Sequence, residues 1–122
     1  MIIRLATSQD KDQVLKLFDE FSSMLEAKEK PSQVGGAIFD EIISRSDTKI
    51  FVAEENGYLQ GVATFYLLPN IRHGWHRGHI EDFFVTSTVR NKGVGTQLLS
   101  FIKDYCKKNN IQLVASNNVL YM

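Results

Sequence analysis

The sequence predicts an α+β (α/β) fold, a mixed and mostly antiparallel twisted sheet flanked by helices, in the order β-α-α-β-β-β-α-β. Three observations carry this reading. Apolar residues recur at helical spacing in two long windows. Between those windows, short β-branched and aromatic runs are divided by an Asn-Gly pair. Near the end, an apolar strand, a glycine turn and a helix are followed by one more strand, a connection that makes neighbouring strands parallel.

Taken in order, Ile2–Ala6 ("IIRLA") is a short β-like run. "TSQD" then offers N-cap residues, with Asp10 and Asp12 suited to the positive end of a helix. Val14, Phe18, Phe21 and Leu25 recur at helical spacing, with Leu17 and Met24 beside them, and form a core-facing stripe. Pro31 breaks the pattern. A second helix is expected over 32–43 with Ile38 and Ile42 inward, weakened at Gly35 and Gly36 by roughly 1 kcal/mol each relative to alanine. Asn56-Gly57 is a hairpin signal between two strands. "NIRHGWHRG" reads as a polar loop joining an antiparallel pair, and "GHIEDFFVT" as the next strand. A helix over 93–108 carries Val94, Leu98, Ile102 and Tyr105 on one stripe, joined by Leu99 and Cys106. Lys107 and Lys108 suit its negative end, and Asn109-Asn110 stops it. "IQLVAS" is the last strand.

The length of 122 residues favours one domain over 1–122, with one modest core. Formal net charge is zero, which argues against nucleic acid as a partner. Cys106 is the only cysteine, so no internal disulfide can form, and a reducing, cytoplasmic setting is expected. The N-terminus lacks the features of a signal peptide, and no apolar run approaches the roughly 20 residues of a membrane span.

The chemistry concentrates in "EDFFVTSTVRNKGVGTQ", Glu81 to Gln97. A helix start presents unpaired N–H groups and partial positive charge, a setting for phosphate. Gly93 and Gly95 let backbone approach a bulky anion, Arg90 and Lys92 add charge, and Thr96 adds a hydroxyl. A diphosphate-bearing ligand fits. The pattern is neither a Walker loop nor a dinucleotide fingerprint. On the strand before it, alternation puts Glu81, Phe83 and Val85 on one face and Asp82 and Phe84 on the other. A carboxylate there is either an exposed strand end or a general base beside a ligand.

"VRNKGVGTQLL" resembles the R-x-x-G-x-G-x-x-L signature of the GNAT superfamily of acyl-CoA-dependent N-acetyltransferases. "HIEDFFVTSTVRNKGVGTQLL" is most similar to the diamine, polyamine and thialysine acetyltransferase group, which carries a like acidic-aromatic strand before the turn. The likeness is sharp over Ile80 to Leu99 and architectural elsewhere. It implies acetyl-CoA as cofactor. Its pyrophosphate would sit on Arg90, Asn91, Lys92, Gly93, Val94 and Gly95, with Thr96 beside them. Its pantetheine would lie along a bulged fourth strand, against backbone groups of Phe83, Phe84 and Val85. Glu81 matches the family's base, acting on a primary amine of a small molecule, and Asp82 would help bind that cation.

The family continues past the fifth strand with an N-x-x-[AS]-x-x-F-Y helix and two more strands, whose tyrosine often serves as acid. Asn117 or Asn118 could begin that motif, but Tyr121 is out of register and takes no acid role. The expectation is a C-terminally shortened member: a truncated product, an incomplete reading frame, or a chain that completes its sheet as a homodimer. A catalytically weak acyl-CoA-binding module is the alternative reading. His73, His76 and His79 lack a familiar zinc-ligand spacing, so no metal is assigned. Trp75 and Arg77 could line an acceptor site, but a solvated hairpin tip is the preferred reading; Glu26 and Glu29 could attract a polyamine, but are read as solvated acids.

Overall fold

The computed structural model describes residues 1–25 and 35–115, with only the backbone of Val114 and Ala115. The expectations placed on Glu26, Glu29, Pro31, the first residues of the second helix, Asn117, Asn118 and Tyr121 lie outside the described residues. The elements are β1 (Ile2–Leu5), a 3₁₀ turn (Ser8–Asp10), α1 (Lys11–Ser23), α2 (Gly36–Ser44), β2 (Thr48–Glu55), β3 (Tyr58–Asn70), β4 (Trp75–Val85), a second 3₁₀ turn (Ser87–Val89), α3 (Val94–Lys108) and β5 (Gln112–Ala115). This is the predicted α+β order. The five strands lie side by side in chain order, antiparallel from β1 to β4, with β5 parallel to β4.

The sheet separates two apolar layers. Phe51, Phe65, Ile80, Phe83 and Val85 face Val94, Leu98, Ile102 and Cys106 of α3. On the other side, Ile50, Val52, Val62 and Phe84 pack against Val14, Leu17 and Phe21 of α1 and Phe39 and Ile42 of α2. The Cys106 thiol sits in the first layer, where burial pushes its pKa up to about 11. Arg4 of β1 donates from both terminal nitrogens to Asp10, at 2.7 and 3.0 Å, which holds the sheet edge to the start of α1.

Local sequence explains the turns. Asn56 and Gly57 both take positive φ, 52° and 84°, as a tight hairpin requires. Asn110 stops α3 with φ 55°. Two expectations are corrected. "NIRHGWHRG" is mostly strand: β3 runs to Asn70 and β4 begins at Trp75, with only Ile71–Gly74 turning and Gly74 at φ 69°. Polar residues and glycines hid a pairing whose cross-strand partners supply the ladder. In α2, Phe39 rather than Ile38 accompanies Ile42 inward: Phe39 is 3% exposed and Ile38 56%. The larger ring at the i, i+3 spacing sets the buried face.

Candidate active site

The regular ladder between β3 and β4 breaks at one place. Ala63 pairs with Phe83 and Phe65 with Ile80, so Glu81 and Asp82 together oppose the single residue Thr64. This is a β-bulge, which carries one extra residue and re-aims side chains. Asp82 donates its backbone N–H to Thr64 Oγ1 at 3.0 Å, using a side chain where the ladder fails. The bulge corrects the simple alternation. Ile80, Phe83 and Val85 all enter the α3-side core. Glu81 lies instead opposite Ile80, on the face of His79, whose Nε2 is 3.2 Å from Glu81 Oε2. One inserted residue shifts the phase of the strand, and no period-two reading could include it.

Around this bulge the polar side chains gather. Asp82 is raised from the usual aspartate value, first by burial and then by the neighbouring Glu81 charge, with a Thr64 hydrogen bond acting against both. The Tyr66 phenol is also pushed up by burial, and the Asp82 and Glu81 charges add to that. Glu81 keeps 45% of its side chain exposed and His79 29%. The constellation therefore opens to solvent while Asp82 is drawn into the sheet.

Past the strand, Thr86 donates its N–H to Gln60 O at 2.9 Å, and the chain turns into α3. Asn91 and Gly93 take left-handed φ of 65° and 86°. Gly93 is the N-cap, and no side chain caps the helix. The first N–H groups of an α-helix have no partner within it. Among the described residues, a Cβ on Gly93 would have only Gln97 Nε2 near it, at 3.9 Å. Asn91, Lys92, Gly93 and Thr96 are exposed, whereas Val94 and Gly95 are buried. Arg90 is largely committed to structure. Its Nε donates to Val85 O at 2.9 Å, and its guanidinium lies 5.1 Å from the Phe84 ring centre.

Sequence reasoning missed Glu20. It accepts from Thr86 Oγ1 at 2.8 Å and from the Ser87 N–H at 3.0 Å. Burial alone would raise its pKa, but the bonds from Ser87 and Thr86, aided by Arg90, hold it below the ordinary glutamate value. One signal was available: an acid in the last turn of α1 opposes the helix dipole, so it needs another partner.

The fit of acetyl-CoA, the cofactor that the resemblance implies, rests on two features. The uncapped start of α3 suits a pyrophosphate. Among the described residues, the pairing of β4 with β5 ends at Ile80 and Ala115. Beyond it, Phe83 to Val85 remain paired to β3 on the other edge. A strand keeps alternate backbone groups on each edge, and the resemblance implies that those on the second edge of Phe83 to Val85 pair with an extended amide-bearing arm. A cavity of about 470 Å³ lies elsewhere, by Lys49, Tyr105 and Asn109 at the opposite end of α3.

Comparison with known proteins agrees. The model of the acetyltransferase (GNAT) family matches residues 12–119. An uncharacterized N-acetyltransferase of Bacillus subtilis, YhfO, is 28% identical over 109 residues, covering 89% of this chain and 72% of that protein. An integron cassette protein from the mobile metagenome of Cole Harbour Salt Marsh shares the fold at a TM-score of 0.83 and 26% identity, over 96% of this chain and 78% of that one. At 20% identity, a ribosomal-protein-alanine N-acetyltransferase from Brucella melitensis biovar Abortus matches at a TM-score of 0.77, over 95% and 80% of the two chains. An aminoglycoside acetyltransferase from an uncultured soil metagenomic sample, solved with sisomicin, matches at 0.80 and 17% identity, over 94% and 76%. With the glycine turn, the bulged strand and a family model spanning most of its length, this chain belongs to the GNAT acetyltransferase family and is an acyltransferase.

Proposed function

We propose that the chain moves an acetyl group from acetyl-CoA to a primary amine of a small molecule, with Glu81 as general base. The observation that carries this reading is the bulge. It sets Glu81 and Asp82 where the described β4–β5 pairing ends, one short strand segment before the uncapped glycine turn. Bound acetyl-CoA supplies the activated thioester. Backbone N–H groups of 91–96 are read as its pyrophosphate cradle, with Lys92 adding charge. Backbone groups of Phe83, Phe84 and Val85 are read as the rail for its arm.

A primary amine has a pKa of about 10 and arrives as a cation. The Glu81 carboxylate attracts that cation and takes its proton, directly or through one water, which leaves a neutral nucleophile. His79, hydrogen-bonded to Glu81, orients the carboxylate. Asp82 adds negative field beside the amine. Holding the reacting groups together supplies much of the rate. Both apolar layers share one sheet, which supports reading 1–122 as one acyltransferase domain.

The test is calorimetric titration with acetyl-CoA, followed by an amine screen that measures free thiol release. Binding with turnover is expected. Binding without turnover, even at alkaline pH where amines are neutral, would favour an acyl-CoA-binding module. No binding by a folded chain would remove the reading.

A further inference from the structure

Arg77 stands apart from the other arginines. Arg4 is bonded to Asp10 and Glu54, Arg45 to Asp47, Arg90 to Val85 O, and Arg72 to the His73 ring. Arg77 makes no hydrogen bond or ion pair among the described residues, and its Nε is sealed from solvent without an acceptor. A permanently charged, partly buried guanidinium ordinarily has a partner.

Its position gives that vacancy a meaning. Arg77 is in the body of the sheet, opposite Leu68 of β3 and Gln112 of β5. The next residue, Gly78, faces the α3 side: a Cβ there would fall 2.5 Å from the Phe65 ring and 2.9 Å from Ile111 Cγ2. Ile80 enters the same layer. Arg77 and His79 are therefore on the opposite face, and His79 touches Glu81 on it. Tyr66 and Leu68, the cross-strand partners of His79 and Arg77, complete the row, and Leu68 is 49% exposed. Along one face the chain thus sets out a carboxylate, an imidazole and a guanidinium without a partner among the described residues, with an apolar side chain beside the guanidinium.

We propose that Arg77 selects an acceptor amine that also carries an oxyanion, a carboxylate or a phosphate, held by the guanidinium while the amine lies at Glu81. The inference rests on the reading of Glu81 as the amine site. Arg77 and Glu81 are four strand positions apart, roughly 13 Å between backbones, and their side chains shorten the gap. A short aliphatic spacer lying along Leu68 and Tyr66 spans it. The planar guanidinium matches an oxyanion in two-point fashion. A simple polyamine would instead bring a second cation against Arg77. This separates the chain's acceptor from a simple polyamine.

The test uses the whole chain with acetyl-CoA and acceptors of equal length: ω-aminohexanoate, the corresponding aminoalkyl phosphate, hexylamine and the terminal diamine. The oxyanion-bearing amines are expected to be acetylated about tenfold more efficiently in kcat/KM than hexylamine, with the diamine below both. Arg77→Gln should collapse that ratio toward one, and Arg77→Lys should keep part of it. The carboxylate and phosphate arms identify the oxyanion. Independently of turnover, titrating the unaltered chain with ω-aminohexanoate should move the Arg77 Nε–Hε magnetic resonance signal, and hexylamine should not. An unmoved signal, or equal use of all four acceptors, overturns the inference. Oxyanion-dependent movement without acetylation of any amine would sustain the Arg77 site and remove the acetyl-transfer reading instead.

Discussion

Glu20 grips Thr86: its Oε1 lies 2.8 Å from the Thr86 hydroxyl, and its Oε2 3.0 Å from the Ser87 amide nitrogen. The end of α1 thereby holds the segment that leads from β4 to the glycine turn. Phe21 stacks on Phe84 at 5.0 Å, and the Arg90 guanidinium lies over the same ring at 5.1 Å from its centre. Replacing Glu20 by alanine leaves the Ser87 N–H to water and unties the segment. We expect a stability loss of about 1 kcal/mol and weaker acetyl-CoA binding. Because the Glu20 pKa is depressed, its contribution is present above the ordinary value of 4.5 and fades as pH falls through the lower folded value. Chemical denaturation of both proteins at neutral and acid pH checks this: the two curves should converge in acid.

Glu81→Gln should leave acetyl-CoA affinity near that of the parent and lower the neutral-pH rate by roughly 100-fold. Part of the loss should return at alkaline pH, where the amine needs no base. A rate profile parallel to that of the parent at every pH would remove Glu81 from the role.

Asp82→Asn is expected to raise the melting temperature at neutral pH. The pKa of Asp82 is raised by burial and by Glu81, so its ionised form is disfavoured in the fold. The parent is therefore at its relative best below the unfolded value, and loses ground as pH rises through the folded one. Thermal unfolding across this range should show the variant's advantage growing with pH and absent in acid.

Gly78→Ala should be among the most damaging small changes. The added methyl would lie 2.5 and 2.6 Å from two Phe65 ring atoms and 2.9 Å from Ile111. A cost of about 3 kcal/mol, the upper end for overpacking, is expected, with loosened β4–β5 pairing. Hydrogen exchange of the Gln112–Ala115 amides would report the second effect.

The fold was legible where local rules and tertiary demand agreed. The α1 stripe of Val14, Leu17 and Phe21, the Asn56-Gly57 turn, and the strand, glycine turn and helix around Gly93 all behave as their residue types require. The β3–β4 hairpin was legible at its tip but not beside it, because Asn70 and Trp75 to Gly78 look like loop although they are paired. The phase of the bulge was hidden for a different reason. It depends on Thr64, seventeen or more positions earlier, offering one residue to two. Glu20 was missed because its significance lies in what it touches across the sheet, and Arg77, weighed as lining an acceptor site, was set aside because a loop reading of its segment put it in solvent.

The bulge has a consequence for the length of the chain. Measured against β3, the fourth strand is one residue too long: three steps from Ile80 to Phe83 face two from Phe65 to Ala63. Removing Asp82 would restore a regular register without exchanging inside for outside, since Ile80, Phe83 and Val85 already share a layer. A chain shortened by that one residue should fold, tighten its ladder and lose its chemistry. The surplus residue is thus expendable to the architecture, and the proposed reaction centre is an insertion that the sheet carries rather than a part of what holds it together.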